Sequence, residues 1–251
     1  MNTPLGIERA VGVLIFTTGI SLVALHTLLL ALSAVRSPLQ RRTQIAAPLF
    51  AGVYLSAWLG LSLAAGDGST FHLASLDRRL VVLVVGMGPM LAALVILVRS
   101  RTMRAIHAAM PPEWLIRAQT YRVAGLMLLF PFLYYREIPA GFAIPAAVGD
   151  FLTGLAAPWV ASQVAQRRPG AVPLAIAWNL FGIADLIVAP VSAVLSQAPV
   201  LSLYPLVLVP LFIGPPMGIL THLRSLRALA PASNATPAGP GRTLDDAVGA
   251  A

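Results

Sequence analysis

Seven stretches of this chain are each about twenty residues long and nearly free of charge: 10–35, 45–65, 80–98, 115–135, 141–164, 172–195 and 203–223. A helix that crosses the hydrocarbon core needs roughly 20 mostly apolar residues. In lipid every backbone N–H and C=O must find a partner inside the protein, which helices provide segment by segment. The pattern therefore predicts an all-α polytopic transmembrane bundle of about seven spans. Composition agrees: only 10% of the 251 residues are charged, against roughly 25% in soluble domains. The first stretch is too long for a signal-peptide core and has only Arg9 before it, so it reads as a true span. The fourth opens with "PPEW". Proline suits a first helical turn and Glu113 suits its positive end, so this helix should start near Pro112.

The loops carry the orientation. Arg36, Arg41 and Arg42 follow span one; Arg99, Arg101, Arg104 and Arg117 lie between spans three and four. Arg167 and Arg168 follow span five, and Arg224 and Arg227 follow span seven. With seven spans these four places share one side, and the positive-inside rule makes that side cytoplasmic, with the N-terminus outside. Arg78 and Arg79 are the exception on the outer side. The transmembrane domain is expected over 1–229. A Pro/Ala/Gly-rich, aperiodic tail over 230–251 reads as disordered and cytoplasmic. The outer loop 66–79 has the length for a short interfacial helix.

The residues also exclude chemistry. All 17 cations are arginine, and there is neither lysine nor cysteine. Disulfides, thiolate metal sites and a retinal Schiff base are thereby ruled out. Arginine without lysine, with abundant Ala, Pro and Gly, points to a GC-rich bacterial genome and an inner-membrane location. The net charge of +8 is spread over short loops, so no nucleic-acid partner is expected. No zinc, P-loop, dinucleotide or catalytic-triad pattern is present, and no cofactor is expected.

Against this background two carboxylates stand out. "AIPAAVGDFLTGLAAP" (143–158) holds Asp150 and "WNLFGIADLIVAP" (178–190) holds Asp185. At 1.5 Å per residue they lie about 13 Å and about 15 Å below the outer boundary, near the bilayer middle, on consecutive antiparallel spans. Asp150, Thr153, Gly154 and Ala157 form one small, polar stripe; Asn179, Gly182, Asp185, Ala189 and Ser192 form another. Phe151, Leu152 and Leu155 fall on the other side, as lipid-facing residues should. An Asp at mid-membrane costs about 2.5–3.5 kcal/mol on insertion scales, so it needs a partner or a task.

Arg122 in "QTYRVAG" of span four is the available counter-charge, with Gln119 one turn nearer the water. Its side chain either reaches up to the carboxylates or snorkels down to the headgroups. Two acids against one guanidinium leave one negative charge uncompensated, which a proton or cation could neutralise. Asp150 and Asp185 are thus candidate ion ligands, Arg122 the balancing charge, and Asn179, Thr153 and Gln119 candidate hydrogen-bonding groups.

His26 sits about 13 Å inside the cytoplasmic boundary by helix rise, and His222 at that boundary. This mismatch argues against a bis-histidine haem. Trp159, Trp178 and Tyr134-Tyr135 read as interface anchors, with Trp178 deep enough beside Asn179 to line a cavity. Pro48, Pro89, Pro190, Pro205, Pro210 and Pro215-Pro216 each free a backbone carbonyl, and the last span holds the densest run.

The half of the chain from Gln119 onward, with "QTYRVAG", "FAIPAAVGD", "WNLFGIADL", the proline-rich last span and "HLRSL", resembles a family of uncharacterised bacterial multi-pass inner-membrane proteins. The resemblance implies an integral membrane protein and carries over no activity. The leading expectation is a small proton- or cation-coupled carrier whose partners are the bilayer and a proton, cation or small solute. The alternative is a structural or regulatory membrane subunit whose polar core only fixes helix packing. A membrane-embedded enzyme or b-type cytochrome comes third.

Overall fold

The computed structural model describes residues 5–67 and 77–230, with side chains left out at 5–8 and 78. Among them every regular element is helical. The expected interfacial helix of the 66–79 loop falls mostly outside the described residues, and the expected tail disorder over 230–251 lies beyond them save for Ala230. Among the described residues five helices are long and apolar enough to cross a membrane: Arg9–Arg36, Arg41–Asp67, Arg79–Arg99, Ala140–Ala165 and Ala171–Leu195. We label them α1, α2, α3, α6 and α7 by chain order. Between α3 and α6 lie α4 (Arg101–Ala108) and α5 (Pro112–Ala118), and α8 (Pro215–Leu229) closes the chain.

The fourth and seventh apolar stretches are helical but broken. The fourth begins at Pro112, as its "PPEW" opening predicts, with Pro111 as cap. After α5 it tightens into a 3₁₀ segment, Gln119–Leu128, and widens into a π turn at Pro131–Tyr135. The seventh runs through turns and a π turn at Val209–Ile213, and regular helix starts only at Pro215. Prolines 215 and 216 thus open a helix, where a missing N–H costs nothing. The 203–223 stretch is therefore not one straight rod, and regular helix extends to Leu229.

The prolines leave carbonyls free, and neighbouring side chains take them up. Pro89 cannot bond Val85 O, four residues back; Trp58 Nε1 on α2 donates to that oxygen at 2.9 Å. Tyr54 Oη, one turn earlier, donates to Pro89 O at 2.5 Å. Pro215 likewise frees Leu211 O, which Ser62 Oγ approaches at 3.5 Å. These donors make α2 the brace of both irregular segments, as a lipid-embedded backbone requires. Trp58→Phe removes one donor and is expected to cost about 1–2 kcal/mol. A thermal unfolding midpoint equal to wild type in detergent would show that Val85 O has another donor.

Helix α6 shows how the bundle sorts its residues. Ala143, Ala146, Ala147, Gly149, Thr153, Gly154, Ala157 and Ala161 are buried, whereas Ile144, Val148, Leu152, Leu155 and Trp159 are exposed. Small residues inside and large apolar ones outside is the pattern of helices packed closely in lipid. It allows α6 to lie directly on the 3₁₀ segment. A Cβ at Gly154 would sit 2.5 Å from Val123 N and 3.0 Å from Arg122 C. That approach places Arg122 against both α6 and α7.

Candidate functional site

Arg122 is the hub of a buried polar centre. Its residue exposure is 2%, and its side chain points to the carboxylates rather than to any headgroup position. Nε donates to Asp150 Oδ1 at 2.6 Å, and Nη2 donates to Asp185 Oδ2. Nη1 donates to Gly182 O at 3.2 Å and faces His222 Nε2 at 2.9 Å. One planar guanidinium therefore ties the 3₁₀ segment to α6, α7 and α8. Its fixed fork of donors suits it to this task in a way lysine would not match.

The hydrogen bonds fix the histidine. A guanidinium only donates, so His222 Nε2 accepts and carries no proton. The ring proton is then on Nδ1, which donates to Asn179 Oδ1 at 2.9 Å. The Asn179 amide is oriented in turn, because Nδ2 donates to Ala175 O at 2.7 Å and to Ser225 Oγ at 3.1 Å. Trp178 packs on the His222 ring with centroids 5.1 Å apart and donates to Thr153 O at 3.2 Å. His222 is thus a neutral imidazole, and among the described residues the centre contains two carboxylates and one guanidinium.

Three glycines make room for it. A Cβ at Gly149 would overlap the Asp185 carboxylate, one at Gly125 would overlap Asp150, and one at Gly182 would overlap the His222 ring. The carboxylates remain the more accessible part, with side chains 16% exposed for Asp150 and 9% for Asp185. A cavity of about 20 Å³ touches Asp150, Arg122, Tyr121 and Thr18. That is room for about one water. Val209, Ile213 and Gly214 line the same cavity, so the irregular last segment adjoins Asp150.

Of the six residues singled out from sequence, Arg122, Asp150, Asp185 and Asn179 belong to this connected network. Thr153 is fully buried beside it, but its hydroxyl donates back to Gly149 O at 2.8 Å. Gln119 lies one turn away and donates to Gly218 O at 3.3 Å. His222 and Ser225 complete the network and were not expected in it. The expected depth difference between His26 and His222 is also corrected. His26 Nε2 lies 3.0 Å from Thr221 Oγ1, next to His222 in the chain, and regular helix continues past His222 to Leu229. His26 Nδ1 bonds Leu22 O at 2.8 Å, so neither histidine presents a free ring nitrogen in this arrangement.

A family model described as a domain of unknown function, DUF8737, matches residues 78–230. The chain belongs to that family. No curated protein and no solved structure matches the chain. The DUF8737 stretch holds every member of the network, from Arg122 to Ser225, and leaves α1 and α2 outside. It also begins before Gln119, so the family covers α3, α4 and α5 as well as the half singled out in the sequence.

Proposed function

We propose that the chain is a multi-pass integral membrane protein of seven spans in a bacterial inner membrane, acting as a small proton- or cation-coupled carrier. The N-terminus lies outside and the C-terminus in the cytoplasm, following the arginine-rich loops. In this reading the Arg122 centre is the coupling site. Asp150 and Asp185 bind the proton or cation. Arg122 is the fixed counter-charge, and His222 and Asn179 hold its orientation.

The observation that carries the reading is the charge count. Two carboxylates share one guanidinium while His222 accepts a hydrogen bond as a neutral ring, which leaves one excess negative charge. Ionisable groups at membrane depth mark ion and proton pathways more often than not. The cavity at Asp150 supplies a place for a water beside an irregular, proline-broken backbone.

The second reading is a packing centre of a structural subunit, and the glycine contacts favour it. The network is closely fitted, with no space for a side chain at Gly125, Gly149 or Gly182. The two readings separate in proteoliposomes that contain a pH-sensitive dye. Under an imposed membrane potential the carrier moves protons or a cation, and Asp150→Asn or Asp185→Asn removes most of that flux while the protein stays folded. Full flux in both variants, no flux in wild type, or unfolding of both, leaves the packing reading.

A further inference from the structure

At one end of the bundle a second cluster has the opposite charge balance. A crevice of about 620 Å³ is lined by Arg104, His107, Arg224 and Arg227, together with Pro111, Pro112 and apolar residues. No carboxylate lines it, among the described residues. Arg224 is 6% exposed, yet among the described residues it has no acid partner. Its Nη2 donates to His107 Nδ1 at 3.2 Å and reaches Met110 Sδ at 3.7 Å. Because His107 Nδ1 accepts, the ring proton lies on Nε2. That Nε2–H and the Arg224 Nε–H are both buried donors without an acceptor among the described residues. Burial and the neighbouring Arg224 and Arg227 also hold His107 well below its usual histidine range. An unpaired buried cation beside two idle donors is costly unless an anion completes it.

A second feature shows what kind of anion. An apolar groove shares Leu97, His107 and Arg224 with the crevice. It continues between α2, α3 and α8 along Phe50, Leu55, Ile96 and Leu220. We infer that this end of the bundle binds an anionic phospholipid, its phosphate on Arg224, Arg104, Arg227 and His107 and a short stretch of one acyl chain against the groove, whose volume is about 60 Å³. A phosphate in the crevice offsets the three arginines that line it. A soluble phosphate shares the headgroup chemistry but leaves the groove unused.

The test is the thermal midpoint of the purified full chain in detergent, read by tryptophan fluorescence. Titration with phosphatidylglycerol should raise it, while phosphatidylcholine and inorganic phosphate should do so far less. Arg227→Gln, an exposed position, should weaken the phosphatidylglycerol response about five-fold, the effect of one cation near an anionic headgroup. Arg224→Gln should abolish the preference for phosphatidylglycerol. If Arg224→Gln does not fold, native mass spectrometry of Arg227→Gln decides, with less co-purified anionic lipid expected than in wild type. Equal responses to both lipids, an equal response to inorganic phosphate, or unchanged lipid retention in Arg227→Gln would each overturn the inference.

Discussion

Replacing Arg122 with methionine is expected to destabilise the protein by about 3–5 kcal/mol, the cost of leaving a buried charge without its partner. The reason lies in what remains. Asp150 and Asp185 lose their ion pairs with it, and His222 Nε2 and Gly182 O lose a donor. The measurement is the folded fraction across a denaturing-detergent titration. The triple variant Arg122→Met/Asp150→Asn/Asp185→Asn should recover much of the loss, because it removes all three charges together. Arg122→Lys should fall between, since one ammonium cannot reproduce the guanidinium fork across two acids. Wild-type stability in Arg122→Met would show that the ion pairs do not persist in the folded protein.

The second large effect comes from glycine. Gly149→Ala pushes a methyl group into the Asp185 carboxylate, and Gly182→Ala pushes one into the His222 ring. Overpacking of this kind costs about 1–3 kcal/mol. The opposite sign is expected at Gly60 in α2, where a Cβ meets nothing within 4 Å. There Gly→Ala should gain up to about 1 kcal/mol from helix propensity alone. Thermal midpoints of the three variants compared side by side give the check. A gain at Gly149 would mean that α6 and α7 lie further apart than described.

Much of the centre was legible in the sequence because charge is rare here. Asp150, Asp185 and Arg122 each interrupt a long apolar run, and i, i+3, i+4 spacing put Asn179 and Asp185 on one small-residue face. The direction of Arg122 was not legible, since a long side chain reaches either way from one turn inside the interface. His222 was misplaced for a specific reason. Pro215-Pro216 looked like kinks inside a span over 203–223, whereas they occupy the first turn of α8. The helix they open runs to Leu229, so His222 lies about two turns inside its end. Helix α4 was missed because Arg101–Ala108 is short, and only Met103 and Ile106 are buried from it. The tight 3₁₀ winding of Gln119–Leu128 also left no clear periodic signal, since it follows from contact with Gly154 on α6.

In the proposed carrier one excess negative charge is held between Asp150, Asp185 and Arg122. Infrared difference spectra between pH steps, recorded on the protein in lipid, report this directly through the C=O stretch of a protonated carboxyl. One such band is expected to titrate in wild type, to be lost or shifted in Asp150→Asn or Asp185→Asn, and to be unaffected by Glu113→Gln. The absence of any titrating carboxyl band assignable to Asp150 or Asp185 would contradict the carrier reading and leave a centre that only holds the helices together.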